Sequence, residues 1–225
     1  MMVQRPLIKL WMLIIFCGSF LVGFFSLASA TPQFSFAGYR WLNENNAGSI
    51  AQIPYGNPSV PTGQSLEWVM SDDGTHYIQS GWIKKSSYSG PKHFVEYSCS
   101  TVCQYVYGNV ASGTTHTYKV ELVSSTWCAY IDGVSEQCVT TSALGMGNAS
   151  YADYSGESSD TNADIGGTSS NHFHMYNLQF KRTSNNTWYQ VNTNYMANLL
   201  TSGTAYYDSV GYTNPYTWVE NWTAR

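Results

Sequence analysis

The chain has 225 residues, of which 11% are charged and 43% hydrophobic, with a formal net charge of -4 at pH 7. Without Arg5 and Lys9 of the N-terminal segment, eight basic side chains face fourteen acidic ones, a balance that argues against a nucleic-acid partner. Sparse charge together with abundant Tyr, Ser, Thr, Asn and Gly points to an exported β protein rather than a helix bundle.

Arg5 and Lys9 precede the apolar run LWMLIIFCGSFLVGFFSLASA, which ends in the small-residue pattern Ala28-Ser29-Ala30. This reads as a secretory signal peptide over residues 1–30, cut after Ala30, and places the protein outside the cell. Leu10 to Leu27 is also long enough to span a bilayer, so a membrane association is expected only if the segment stays uncleaved. Cys17 follows the bulky Phe16, which does not suit a lipoprotein signal. Residues 31–225 then form one domain, as neither a charge block nor a long low-complexity linker divides them.

In chain order, strand-like segments separated by turn signals are FSFAGYRW, SLEWVM, THYIQSGWI, KHFVEYSC, CQYVYGNV, HTYKVELV, WCAYIDGV, HFHMYNLQF and TWYQVN. The pattern predicts an all-β fold, an antiparallel two-sheet sandwich or a barrel. HTYKVELV and WCAYIDGV form the clearest hairpin. Cys99, Cys103, Cys128 and Cys138 remain in the exported part and predict two disulfides, with the local pairings Cys99–Cys103 and Cys128–Cys138 preferred. The second would sit across a three-residue loop, Asp132-Gly133-Val134. Residues 139–166 carry fewer bulky apolar side chains and are expected to include a long excursion across the sandwich. Beyond Gln190, MANLL suggests one helical turn, and YYDSVGYTNPYTWVENW a strand or an aromatic tail.

Several chemistries lack their residues. There is no G-x-S-x-G elbow. His172 and His174 share a strand face without an evident third ligand, so neither a metal nor another cofactor is expected. The E-x-D-x-x-E pattern of laminarinase-type glycosidases is replaced by GESSDTNAD, whose spacing is wrong for paired carboxylates on one strand. N-x-S/T patterns begin at Asn148, Asn185 and Asn221. In HYIQSGW, alternation puts Ile78 and Trp82 on one face and Tyr77, Gln79 and Gly81 on the other. Glu96 points away from Val95 and Tyr97. Glu157 follows a glycine that allows close backbone approach.

Taken together, these segments resemble the neprosin-type glutamic peptidases. HYIQSGW resembles their I-E-A-G-W stretch, with Gln79 where that family has a catalytic glutamate. HFVEYSCSTVC is similar to the aromatic strand and paired cysteines that follow, and DYSGE resembles W-G-G-E, which places Glu157 on the second glutamate. IGGTSSNHFHMYNLQF is similar to the late glycine-turn strand, so the resemblance spans residues 64–182. A Gln/Glu pair departs from neprosin and resembles the eqolisins, glutamic peptidases on a similar two-sheet sandwich. The resemblance implies a concanavalin-like sandwich and an acid-acting endopeptidase with a polypeptide substrate, in which an ionised Glu157 takes a proton from water and Gln79 stabilises the oxyanion. Tyr77 and Trp68 are expected to line the substrate groove and Glu96 to act as a supporting carboxylate. The competing reading is a non-catalytic, lectin-like sandwich whose Tyr and Trp side chains bind glycans.

Overall fold

A computed structural model describes residues 34–224 apart from Thr161 and residues 202–204. The signal-peptide reading of residues 1–30 lies outside the described residues. Two antiparallel sheets pack face to face. The first runs β13 (Met196–Asn198), β1 (Ser35–Trp41), β10 (Tyr151–Ser158), β3 (Gln64–Asp72), β4 (Tyr77–Lys85), β5 (Lys92–Ser98) and β6 (Val102–Asn109). The second runs β14 (Tyr206–Thr213), β15 (Tyr216–Thr223), β11 (Phe173–Arg182), β2 (Asn46–Pro54), β7 (Thr115–Val123), β8 (Thr126–Ile131) and β9 (Val134–Thr140), with β12 (Trp188–Gln190) beside β11. This is the expected sandwich, and no barrel closes among the described strands.

Alternation along the strands divides the first sheet into an inner and an outer face. Ile78 and Trp82 of β4 are fully buried, in apolar clusters that draw on both sheets, and the Trp82 indole donates to the Pro54 carbonyl at 3.1 Å. Leu66, Trp68, Ile83 and Phe94 form a separate apolar cluster with Phe36 and Met70 packed against it, on the opposite face. The strand periodicity of HYIQSGW therefore holds: one set of side chains anchors the sheet, and the other is presented to a groove.

Both local disulfides are present, Cys99–Cys103 across the β5–β6 turn and Cys128–Cys138 between directly opposed residues of β8 and β9. The loop joining β8 to β9 has two residues rather than three. Asp132 and Gly133 both have positive φ, 51° and 83°, the requirement of a tight primed turn, so Val134 already belongs to the strand.

Residues 139–166 are not simply an excursion. After a short helix α1 (Thr141–Leu144), the chain forms β10, which sits between β1 and β3 inside the first sheet. Its Ala152, Tyr154, Gly156 series faces inward, and the small residues that hide the strand from a composition reading are needed by their neighbours. A Cβ on Gly156 or on Gly166 would lie 2.7 Å from Oε1 of Glu67, so these glycines make room for a carboxyl group between the sheets. MANLL is not a helical turn: a one-turn 3-10 helix, Thr193–Tyr195, ends just before it, and its first three residues are strand β13 beside β1. The C-terminal segment is a hairpin of β14 and β15. Its Asn221 is fully buried, which removes one of the three glycosylation patterns from the surface, while Asn148 and Asn185 are exposed.

Glu67 is fully buried and accepts hydrogen bonds from the Gly166 amide and from Asn221 Nδ2, both at 2.9 Å. Burial outweighs those bonds and pushes its carboxyl from 4.5 up to about 8. The folded state therefore binds a proton that the unfolded state releases between these values, and the stability this contributes is complete below 4.5 and lost as pH rises through about 8. Denaturant unfolding of wild type and Glu67→Gln across this window is expected to show a steeper fall of stability with pH in the wild type. Parallel curves would show that Glu67 is not the group responsible.

Candidate active site

The groove face of the first sheet holds a cavity of about 430 Å³, and five of the residues around it are those singled out in the sequence: Trp68, Tyr77, Gln79, Glu96 and Glu157. Phe34, Phe36, Met70, Val102 and Gln104 contribute to the same walls. Gln79 lies opposite Met70 on β3 and opposite Glu96 on β5. Glu157 lies opposite Leu66, four positions along β3 from Met70. The two residues approach one cavity from different strands with β3 between them, and Trp68 projects from β3 in that interval.

Glu157 stands on a strand, not in the polar loop expected from its sequence surroundings. Only 8% of it is exposed, and its Oε2 accepts from Trp68 Nε1 at 2.9 Å. No lysine or arginine pairs with it among the described residues. Burial, then the negative charge of Glu96, raises its carboxyl from 4.5 to about 8, against the smaller opposing effect of the Trp68 hydrogen bond. Trp68 is among the cavity residues as expected; its ring is almost wholly buried, yet its polar edge serves the groove carboxyl.

Glu96 is held differently. Its Oε1 accepts from the Tyr77 hydroxyl at 2.7 Å and from Gln79 Nε2 at 3.0 Å, and its Oε2 accepts from Gln104 Nε2 at 2.6 Å. Three donors on one carboxylate define the acceptor at the centre of the polar wall. Burial and the adjacent Glu96 charge both disfavour loss of the Tyr77 proton, so Tyr77 remains a donor. Sequence reading placed Glu96 on the right face but not its partners. Gln104 was missed altogether, since a polar residue on an edge strand carries no local sign that it completes a three-strand row.

A second charged group on the same face was also missed. Arg40 of β1 forks onto Asp153, with contacts at 2.9 and 2.6 Å, and reaches Asp72 at 2.9 Å. Asp153 precedes Glu157 by four residues on β10, and it has the cationic partner that Glu157 lacks. His172 and His174 do lie together, but each faces Glu220, at 3.3 and 2.8 Å, on a different sheet from the groove. Among the described residues no group of three or more His, Cys, Asp and Glu side chains is arranged to hold a metal ion.

Solved structures share this fold. The crystal structure of scytalido-glutamic peptidase with a transition state analog inhibitor is similar with a TM-score of 0.58 over 85% of this chain and 99% of that one, at 10% identity. SCP-B, a member of the Eqolisin family of peptidases in a complex with the tripeptide Ala-Ile-His, is similar with a TM-score of 0.56 over 85% and 99%, at 11% identity. At such identity the likeness is one of architecture. No protein-family profile matches the sequence, and no curated protein sequence matches it significantly. The structural likeness is to eqolisins, so the neprosin-type resemblance rests on its motifs alone.

The Glu96 charge gives the site a measurable signature. Replacing Glu96 by Gln removes a negative charge from beside Glu157, so the Glu157 carboxyl is expected to titrate at lower pH than in wild type. Carboxyl-carbon NMR of the labelled protein reads this directly, and an unchanged or raised titration point would contradict the electrostatic coupling.

Proposed function

We propose that the protein is an exported glutamic endopeptidase in which Glu157 and Gln79 activate one water molecule against a peptide carbonyl. The supporting observation is that both residues open into one cavity, with Glu157 buried, raised in pKa and lacking a cationic partner. Two disulfides suit a chain that matures in an oxidising compartment. The shared fold with glutamic peptidases supports the same reading.

The raised pKa changes the proton inventory expected from the sequence. An ionised Glu157 is scarce below about 8, so the form present under acid and neutral conditions is the neutral acid. Such a carboxyl can act at both oxygens. One passes its proton to the substrate carbonyl oxygen while the other takes a proton from the attacking water, giving a neutral tetrahedral diol and leaving the carboxyl neutral with its proton on the other oxygen. In the second step the oxygen that took the proton from water gives it to the leaving nitrogen, the other oxygen takes a proton from a diol hydroxyl, and the C–N bond breaks. Gln79 does not titrate. With one N–H committed to Glu96, its second N–H can stabilise charge that develops on the carbonyl oxygen, and its Oε1 can orient the water. Tyr77 and Glu96 hold that amide rather than meet the reacting atoms, and Phe36 and Met70 offer apolar wall to the substrate.

Two outcomes test this reading. Hydrolysis of an unfolded protein substrate is expected to fall about 10²–10⁴-fold in Glu157→Gln and about 10²–10³-fold in Gln79→Ala, with both variants folded by circular dichroism. The kcat/KM of the wild type is expected to hold on the acid side and to fall as Glu157 loses its proton near pH 8. A rate that rises through that pH would mean that the ionised carboxylate is the active form, and full activity in either variant would remove the proposed pair from the chemistry.

A further inference from the structure

The polar row that ends on Gln79 starts outside the cavity. Lys85, the last residue of β4, donates from Nζ to Gln104 Oε1 at 2.8 Å. Gln104 Nε2 donates to Glu96 Oε2 at 2.6 Å, and Glu96 Oε1 accepts from Gln79 Nε2 at 3.0 Å. Gln79, Glu96 and Gln104 are successive cross-strand partners on β4, β5 and β6, so their side chains leave the sheet side by side on one face. The Cys99–Cys103 disulfide closes the turn between the strands that carry Glu96 and Gln104.

The row has a fixed polarity. An ammonium group only donates and a carboxylate only accepts, so the Gln104 amide between them has one satisfied arrangement, carbonyl towards Lys85 and NH₂ towards Glu96. Reversing it would set N–H against N–H at one end and oxygen against oxygen at the other. With Oε2 of Glu96 held in this way, the carboxylate cannot turn about its terminal bond, and Oε1 stays aimed at Gln79 and Tyr77. Because a carboxylate only accepts, Gln79 gives Glu96 its NH₂ side, and the fixed plane of that carboxylate sets where the other N–H and Oε1 stand in the groove. A glutamine amide has a broad, nearly two-fold terminal torsion, so in the absence of such neighbours its two ends interchange readily. A swapped Gln79 would present its groove atoms in the wrong places for water and oxyanion.

We infer that Lys85, which does not line the cavity, is a positioning residue that acts through Gln104 to hold the plane of the Glu96 carboxylate, and with it the position of the Gln79 amide. The inference rests on the glutamic-peptidase reading and adds to it a residue at the far end of the strand. Loss of Lys85 removes the donor that seats the Gln104 carbonyl, loosens the Gln104–Glu96 contact and lets the plane of the Glu96 carboxylate turn, which lowers the fraction of molecules whose Gln79 is set for reaction. It acts on turnover rather than on substrate binding, because Lys85 itself is not at the groove wall.

The experiment is a mutant cycle on peptide hydrolysis. Lys85→Met is expected to lower kcat about tenfold, a size usual for coupled neighbours, with KM changed by less than about twofold. Lys85→Arg, which keeps a cationic donor, is expected to recover most of that loss. In a Gln79→Ala background, Lys85→Met is expected to have no further effect, since the group it orients is gone. Lys85→Gln supplies a second variant if the methionine substitution disturbs folding. Unchanged kcat in folded Lys85→Met or Lys85→Gln, or an undiminished loss in the Gln79→Ala background, overturns the relay. An inactive wild type would instead refute the peptidase reading itself, so the two failures are distinguishable.

Discussion

A carboxyl group buried without a cation is the constraint around which the groove is organised. Glu157 receives an indole N–H from Trp68 and lies within the field of Glu96, and neither supplies positive charge. Asp153, on the same strand and face, receives a forked guanidinium. The contrast is chemical. Burial raises both carboxyls, but Arg40 occupies both oxygens of Asp153, whereas among the described residues Glu157 accepts only from Trp68 and keeps an oxygen for the groove. Keeping such a group costs stability above its shifted pKa, and the surrounding sheet must supply that stability from packing elsewhere.

The sheet supplies it through strict alternation. Along β4, Ile78 and Trp82 fill the space between the sheets while Tyr77 and Gln79 stand in the groove. Along β10, Tyr154 packs inward and its hydroxyl reaches the Gln179 carbonyl at 2.6 Å, while Glu157 projects outward. Because neighbouring strands keep register, residues distant in sequence become lateral partners, and a slip of one position would exchange every groove side chain for a core one. The Gln79–Glu96–Gln104 row depends on three strands at once, and the disulfide at the β5–β6 turn limits slippage where the sheet ends.

Much of this was legible in the amino-acid sequence where the pattern is local. The periodicity of THYIQSGWI and KHFVEYSC identifies the strands and the faces of Gln79 and Glu96, and the cysteine spacing identifies both disulfides. β10 was hidden because its inward positions are Ala152 and Gly156, small for the benefit of neighbours such as Glu67, a need visible only across strands. β2 was hidden for a related reason: four of its first six residues, Ala47, Gly48, Ser49 and Ala51, are small, and branched residues enter only at Ile50 and Ile53. The partners of Glu96, the Arg40–Asp153 pair and the reach of Lys85 are long-range, and no spacing in the chain encodes them. The raised pKa of Glu157 belongs to the same class, since burial is a property of the assembled groove.

The central claim is that the Gln79 amide and the Glu157 carboxyl act on the same reacting carbon. A crystal structure of the protein with a peptide whose scissile unit is replaced by a stable tetrahedral carbinol tests it most directly. The account predicts the carbinol oxygen within about 3 Å of both the Gln79 amide and the Glu157 carboxyl, with the peptide lying along the groove over Trp68 and Met70. A peptide bound elsewhere, or a carbinol in reach of only one of the two, would contradict it.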